Sequence, residues 1–188
     1  MGALTNVFSA FGLSSAAGLN AYLPLLIVAL TARFTNLIQL NKPWDVLTSW
    51  WAIGTLVILL LVEMTVDKIP AADTINDIIS TVIRPVAGAI LFAANSGAVG
   101  EMHPVLALIC GLIVAGGVHA VKATVRPAVT ATTAGTGNWL VSIVEDIISF
   151  VTSVLAILVP MLLVILLVLL IVLLGWWWSR RRASYAAD

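Results

Sequence analysis

From Ile147 to Ser179 the chain carries no charged side chain, and the run closes on Gly175-Trp176-Trp177-Trp178-Ser179-Arg180-Arg181-Arg182. About 20 apolar residues already span the hydrocarbon core of a bilayer as a helix. Tryptophans suit the headgroup layer and arginines resist translocation, so this ending predicts a C-terminus in the cytoplasm. Hydrophobic residues make up 61% of the chain and charged ones 10%, against roughly 25% charged in a soluble domain. So few charges do not cover the surface of a soluble protein of 188 residues. An integral membrane protein is what the chain can fold into.

Nine basic and nine acidic residues cancel, so no global basic patch suggests nucleic acid as a partner. Cys110 is the single cysteine, which rules out an internal disulfide or a thiolate cluster. The first charge is Arg33; without a basic n-region, no cleaved signal peptide is expected.

Hydropathy predicts an all-α membrane protein, a single transmembrane domain over 1–188, with about five spans at 15–32, 50–66, 78–94, 104–121 and 147–175 and a short basic tail at 179–188. Trp50-Trp51 opens the second span at an interface. The third is amphipathic from Asp73 to Ser80 and continues through Arg84-Pro85, so a re-entrant or broken segment stays open. Thr130 to Asn138 reads as a loop. Ser142 to Ser153 reads as a polar-striped lead-in to the last span, which Pro160 can kink. This count puts the N-terminus outside, with Arg33, Lys42 and the C-terminal arginines inside, and Lys68, Lys122 and Arg126 outside.

A weak internal echo is visible. Ala16-Ala17-Gly18-Leu19-Asn20-Ala21 resembles Ala115-Gly116-Gly117-Val118-His119-Ala120, and Asp77-Ile78-Ile79-Ser80 recurs as Asp146-Ile147-Ile148-Ser149. Duplicated halves are a common transporter architecture, although five-span counting does not invert both matched pairs.

Charges at membrane depth are costly and usually face an interior or a water-filled cavity, so they are the best site candidates. Asp73, Asp77, Ser80 or Thr81, Arg84 and Gly88 share one helical face. Glu63 and Asp67 form an acidic pair at the end of the second span. His119, Lys122 and Arg126 make a basic face. Ser142, Glu145 or Asp146, Ser149 and Thr152 or Ser153 make a polar-acidic one. A hairpin would pair Lys122 or Arg126 with Glu145 or Asp146. The same charges also suit a bland role, snorkelling to water or stapling helices together. Gly18 with Asn20, and Gly116-Gly117 with His119, suit a close helix crossing first and a broken helix around a substrate second; Pro24 frees the carbonyl of Asn20, which strengthens the second reading. His103 and His119 lack zinc spacing, and no catalytic triad, phosphate loop or dinucleotide fingerprint appears.

Ala17-Gly18-Leu19-Asn20-Ala21-Tyr22-Leu23-Pro24, Trp50-Trp51, Asp67-Lys68-Ile69-Pro70, Asp73, Asp77 and Arg84-Pro85-Val86-Ala87-Gly88-Ala89 are specific in combination. So are Gly116-Gly117-Val118-His119-Ala120, Lys122, Arg126-Pro127, Gly135, Gly137-Asn138 and Glu145-Asp146. With them the chain resembles, from about Gly12 to Leu174, a bacterial membrane family known only as domain of unknown function 4126. The resemblance implies a polytopic membrane protein and carries no activity with it. The Trp-Trp-Trp-Ser-Arg tail lies outside the family pattern.

The expected function is a small transporter or channel of the bacterial cytoplasmic membrane, working as a homo-oligomer or within a larger membrane complex. A cavity lined by Asn20, Asp77, Arg84 and His119, with Lys122 and Glu145 at its mouth, would take a small anion or a lipid headgroup. The alternative is a non-transporting accessory or scaffold subunit. A lipid-modifying enzyme ranks third, since no nucleophile is evident. Nothing in the sequence calls for a metal or cofactor, and the bilayer is the one partner the chain requires.

Overall fold

With no water in the bilayer core to satisfy backbone amides, a segment that crosses it must make its hydrogen bonds internally, and a helix does so within one segment. The computed structural model describes residues 3–40, 42–66, 70–96 and 102–159, and of residues 3–5, 70–77 and 96 the backbone alone. Six α-helices are present among the described residues, and no strand: α1 (Ala3–Leu19), α2 (Tyr22–Phe34), α3 (Trp50–Val66), α4 (Pro70–Ser96), α5 (Pro104–Thr133) and α6 (Asn138–Val159). Three of these described helices are long and apolar enough to cross a membrane: α4 over Ile78–Asn95, α5 and α6. The shorter α2 and α3 are also apolar, apart from Arg33 in α2 and Glu63 in α3.

Side-chain bonds set the helix directions. Asn95 Nδ2 donates to the Asn6 carbonyl at 3.3 Å and Ser14 Oγ to that of Gly88 at 2.8 Å, so α1 and α4 are antiparallel. Ser9 Oγ reaches the Ala156 carbonyl at 2.6 Å and Ser149 Oγ that of Ala16 at 3.0 Å, so α6 is antiparallel to α1 as well. Thr81 meets His119 while Gly88 meets Gly111, making α4 and α5 antiparallel. The turn at Ala134–Gly137 makes a hairpin of α5 and α6, tied by Thr130 and Asn138. The ring α1–α4–α5–α6 therefore alternates in direction, and α1 and α5 lie parallel across it.

Those parallel helices carry the two echoing segments, and α4 and α6 carry the other pair. In each matched pair the two helices run in the same direction, so the echo is not an inverted one.

Small residues let the backbones meet. A Cβ on Gly18 would lie 2.6 Å from both the Ala115 carbonyl and the Val118 Cβ, and one on Gly111 would lie 2.6 Å from the Phe92 Cβ and strike the Gly88 carbonyl. Packing of this kind, with side-chain hydrogen bonds across it, holds helices together where lipid is as apolar as leucine. α2 and α3 lie outside the ring and antiparallel to each other. Arg33 and Phe34 meet Trp50 at one end, with the guanidinium 4.1 Å above the indole. At the other end Tyr22 couples electrostatically to Glu63. Trp51, 89% exposed, suits the headgroup layer.

Several boundaries differ from the sequence reading. The span expected at 15–32 is broken at Asn20-Ala21, and α1 starts far upstream of Ser15. The low hydropathy of Asn6, Ser9 and Ser14 hides that helix, yet all three are buried. The expected loop at 130–138 shrinks to four residues because α5 runs on through Pro127 to Thr133. Ser142, Ser149 and Ser153 form the buried face of α6, and its described part alone is long enough to cross. Gly117 faces open space and α5 is continuous there, while Gly116 faces Pro85 at ordinary van der Waals range; the tightest approach of α4 to α5 is at Gly88 and Gly111. Pro160, the tryptophan cluster and the arginine tail lie outside the described residues.

Gly111→Leu is expected to abolish the monodisperse folded protein in detergent, because the Gly88 backbone and Phe92 leave no room. Gly117→Ala should leave the size-exclusion profile unchanged, since it adds a methyl where nothing stands within 4 Å.

Candidate functional site

The largest side chain wholly removed from solvent belongs to Arg84, at 0% exposure. It stands on α4 one residue before Pro85, in the part of the helix that packs against α5. Its Nε and NH2 donate to Glu63 Oε1 on α3 at 3.3 and 3.0 Å, and its NH1 lies 3.1 Å from His119 Nδ1 on α5. The other ring nitrogen, Nε2, is 3.1 Å from Thr81 Oγ1, one turn before Arg84. Glu63 is 2% and His119 3% exposed. Tyr22 couples electrostatically to both Glu63 and Arg84. One guanidinium therefore ties three helices together, with a fourth in electrostatic reach.

The second charge group begins one turn further along α5. Lys122 Nζ is 2.9 Å from Glu145 Oε2 on α6, and Arg126 NH2 lies 3.6 Å from the same oxygen. Arg126 NH2 also donates to Ser142 Oγ. Of the pairings the hairpin left open, Glu145 thus takes both cations. Asp146 points instead to α1, where its Oδ1 accepts from Asn20 Nδ2 at 2.9 Å.

Asn20 and Lys122 repair the break between α1 and α2. A helix end leaves carbonyls unsatisfied at its C-terminus and amides at its N-terminus. Lys122 Nζ donates to the Leu19 carbonyl at 3.2 Å, placing a cation at the negative end of α1. Asn20 Oδ1 accepts from the backbone amides of Tyr22 and Leu23 at 3.1 and 2.9 Å, capping α2. Pro24 follows in the first turn, where its missing amide costs no bond. The break is built into the site and held from α5 and α6.

Asn20, Arg84, His119, Lys122 and Glu145 thus converge on one level of the bundle. Asp77 lies in α4, and its side chain falls outside the described residues. Of the two residues expected at a mouth, Lys122 is buried and Glu145 partly exposed, their side chains 1% and 12% accessible. Among the described residues the cluster balances three cations (Arg84, Lys122, Arg126) with three carboxylates (Glu63, Glu145, Asp146), so no excess positive charge awaits an anion in this conformation.

Glu63 is the residue sequence reasoning passed over by pairing it with Asp67. Its signal was present: Ile53, Leu56, Leu60 and Glu63 fall at helical spacing on the buried face of α3. Ala107, Gly111, Ala115, His119, Lys122 and Arg126 likewise form one buried face of α5. A stripe of small residues that turns into charges without changing face marks an interior site.

A family model described as "Domain of unknown function (DUF4126)" matches residues 7–180, so the chain belongs to that family. No curated protein and no solved structure matches it.

Removing one partner of a buried ion pair costs about 3–5 kcal/mol, whereas replacing both with apolar groups is often neutral. Glu63→Ala should therefore lower thermal stability strongly in detergent, and Glu63→Leu/Arg84→Met should recover most of it. Equal losses in the single and double variants would show that the pair does not couple α3 to α4.

Proposed function

We propose that the protein is a small transporter or channel of the bacterial cytoplasmic membrane, seen in a closed state. The observation that supports this is the helix break at Asn20-Ala21, on a level of the bundle where four helices bring six charges together, four of them buried. A scaffold has no need of that expense: each buried ion costs several kcal/mol of desolvation, and an unbroken apolar helix packs as well. Broken helices whose ends meet polar groups at membrane depth line the substrate sites of many transporters.

The charge pattern names a cargo class. Arg84 and Lys122 are each held by a carboxylate, Glu63 and Glu145 respectively. A small anion, or the anionic headgroup of a lipid, would take the place of one carboxylate when the helices part. Arg84 supplies a planar fork suited to carboxylate or phosphate, and Lys122 supplies a point charge. The described helices leave few walls for a pathway, so a homo-oligomer or a larger membrane complex would complete it. The tryptophan and arginine tail supports a cytoplasmic C-terminus.

One observation favours the alternative, a non-transporting accessory subunit. Arg84 is wholly buried and paired, as expected of a charge that staples helices rather than one that water reaches.

Purification in native lipid discs, followed by mass spectrometry of everything that co-purifies, separates the two. A small anion or a particular anionic lipid should be enriched with the parent and lost from Lys122→Gln and from Glu63→Gln/Arg84→Gln. A stoichiometric protein partner, with small-molecule content equal in all three samples, would sink the transport reading and establish the accessory subunit.

A further inference from the structure

Arg84, Lys122 and Arg126 are buried and matched to carboxylates. Arg33, in the last turn of α2, differs in both respects. It is exposed, and among the described residues no carboxylate lies within ion-pair distance of it. Two contacts fix its guanidinium all the same. NH1 donates to the Thr48 carbonyl, and Cζ stands 4.1 Å from the centre of the Trp50 ring, which Phe34 meets edge-on. An arginine presents five N–H donors in a planar fork. Thr48 engages NH1 alone, so Nε and NH2 keep their donors for an acceptor from outside the chain.

The depth of this fork follows from its neighbours. Trp44 opens the short 3₁₀ turn that Thr48 closes, and it packs against the buried cluster of Ala10, Phe92, Ala93 and Ala107. That cluster lies at the end of the bundle where α5 begins and α4 finishes. From His119, near the middle of α5, the twelve residues back to Ala107 rise roughly 18 Å. Half of a bilayer's hydrocarbon core is about 15 Å. Arg33 therefore belongs at the level of the headgroups, where the anion is the lipid phosphate. Phe34, Val46, Trp50 and Trp51 around it are 62–89% exposed, as suits aromatic and apolar groups in that layer. Between Arg33 and Trp50 the other charges are Lys42 and Asp45, which leaves the stretch net positive. A choline or ethanolamine headgroup would set a further cation beside it, and a glycerol headgroup sets none.

We infer that Arg33, seated on Trp50, binds the phosphodiester of an anionic phospholipid, whose acyl chain lies along the outer face of α3. That face begins with the indole that seats the guanidinium: Trp50, Gly54, Ile58 and Leu61 recur at helical spacing. Nothing stands within 4 Å of a Cβ placed on Gly54, so a chain can lie against the backbone there. Further along, Ile58, Leu61, Val62 and Thr65 line a shallow apolar groove of about 360 Å³. A charged fork at headgroup depth thus leads into an apolar track on one helix, which is the shape of a phospholipid. The lipid would hold α2 and α3 together at their connected end. The site is separate from the interior cluster, and the inference does not depend on the transport reading.

The test uses the full chain in a neutral detergent, with native mass spectrometry counting bound lipid during titration. Phosphatidylglycerol and phosphatidylcholine with the same acyl chains are the two probes. The parent should bind phosphatidylglycerol about tenfold more tightly, the scale of one charge-assisted hydrogen bond, and Arg33→Gln should remove that preference. Arg33→Lys keeps the charge but offers a point in place of the fork, so its preference should fall between the two. Lys122→Gln should keep the Arg33 lipid, so a cargo lipid lost from the interior is counted separately. Equal affinities for the two lipids in the parent, or a preference as large as the parent's in either Arg33 variant, would overturn the inference. So would full displacement of phosphatidylglycerol by millimolar inorganic phosphate, which would assign the fork to a free anion.

Discussion

An arginine does not give up its charge inside a protein, and Arg84 has no solvent exposure. The fold around it must therefore bring acceptors to the guanidinium. Glu63 comes from α3 and His119 from α5, and each can reach it only if those helices pack on α4 at the right depth and rotation. The rest of the bundle can be read as the scaffold that makes this convergence possible. Gly88 and Gly111 let α4 and α5 approach closely just beyond the charges, while Leu56, Leu60 and Ile53 seat α3 through apolar contact on the face that ends in Glu63.

The helix break is the second organising element, and it depends on the same helices. Breaking α1 from α2 exposes backbone groups that lipid cannot satisfy. Lys122 takes the Leu19 carbonyl and Asn20 covers the first amides of α2, while Asp146 positions Asn20. Lys122 and His119 lie one turn apart on α5, so that helix presents the arginine cluster and the repaired break on a single buried face. Movement of α5 relative to α3 or α4 would disturb both at once.

Much of the site was legible, and the omissions have physical causes. Asn20, Arg84, His119, Lys122 and Glu145 stood out because polar residues are rare in an apolar chain and theirs fell at helical spacing. Glu63 was left out of the expected site because spacing within one helix pairs it with Asp67 and says nothing of a residue on another helix. Asn6, Ser9 and Ser14 concealed the first helix for a related reason. Their hydroxyls and amide lower the hydropathy, whereas in the fold Ser9 and Ser14 bond to carbonyls of α6 and α4 and cost little to bury. The polar stripe of α6 reads as exposed until Ser149 is seen to donate to the Ala16 carbonyl.

The sequence by itself determined the class of the protein: helices with apolar outer faces, a helix break near Asn20-Pro24 as one of two open readings, and buried stripes whose periodicity places the charges on the inward side. These properties are local, set by backbone hydrogen bonding and by the free energy of moving a side chain from water to lipid. Tertiary structure decided which charge meets which. Glu145 rather than Asp146 takes Lys122 and Arg126, Asp146 turns to Asn20, and Glu63 takes Arg84. Only tertiary structure makes the parallel relation of α1 and α5 visible too. Partner choice among buried charges depends on distances of a few ångströms between helices far apart in the chain, and no spacing within a helix encodes them.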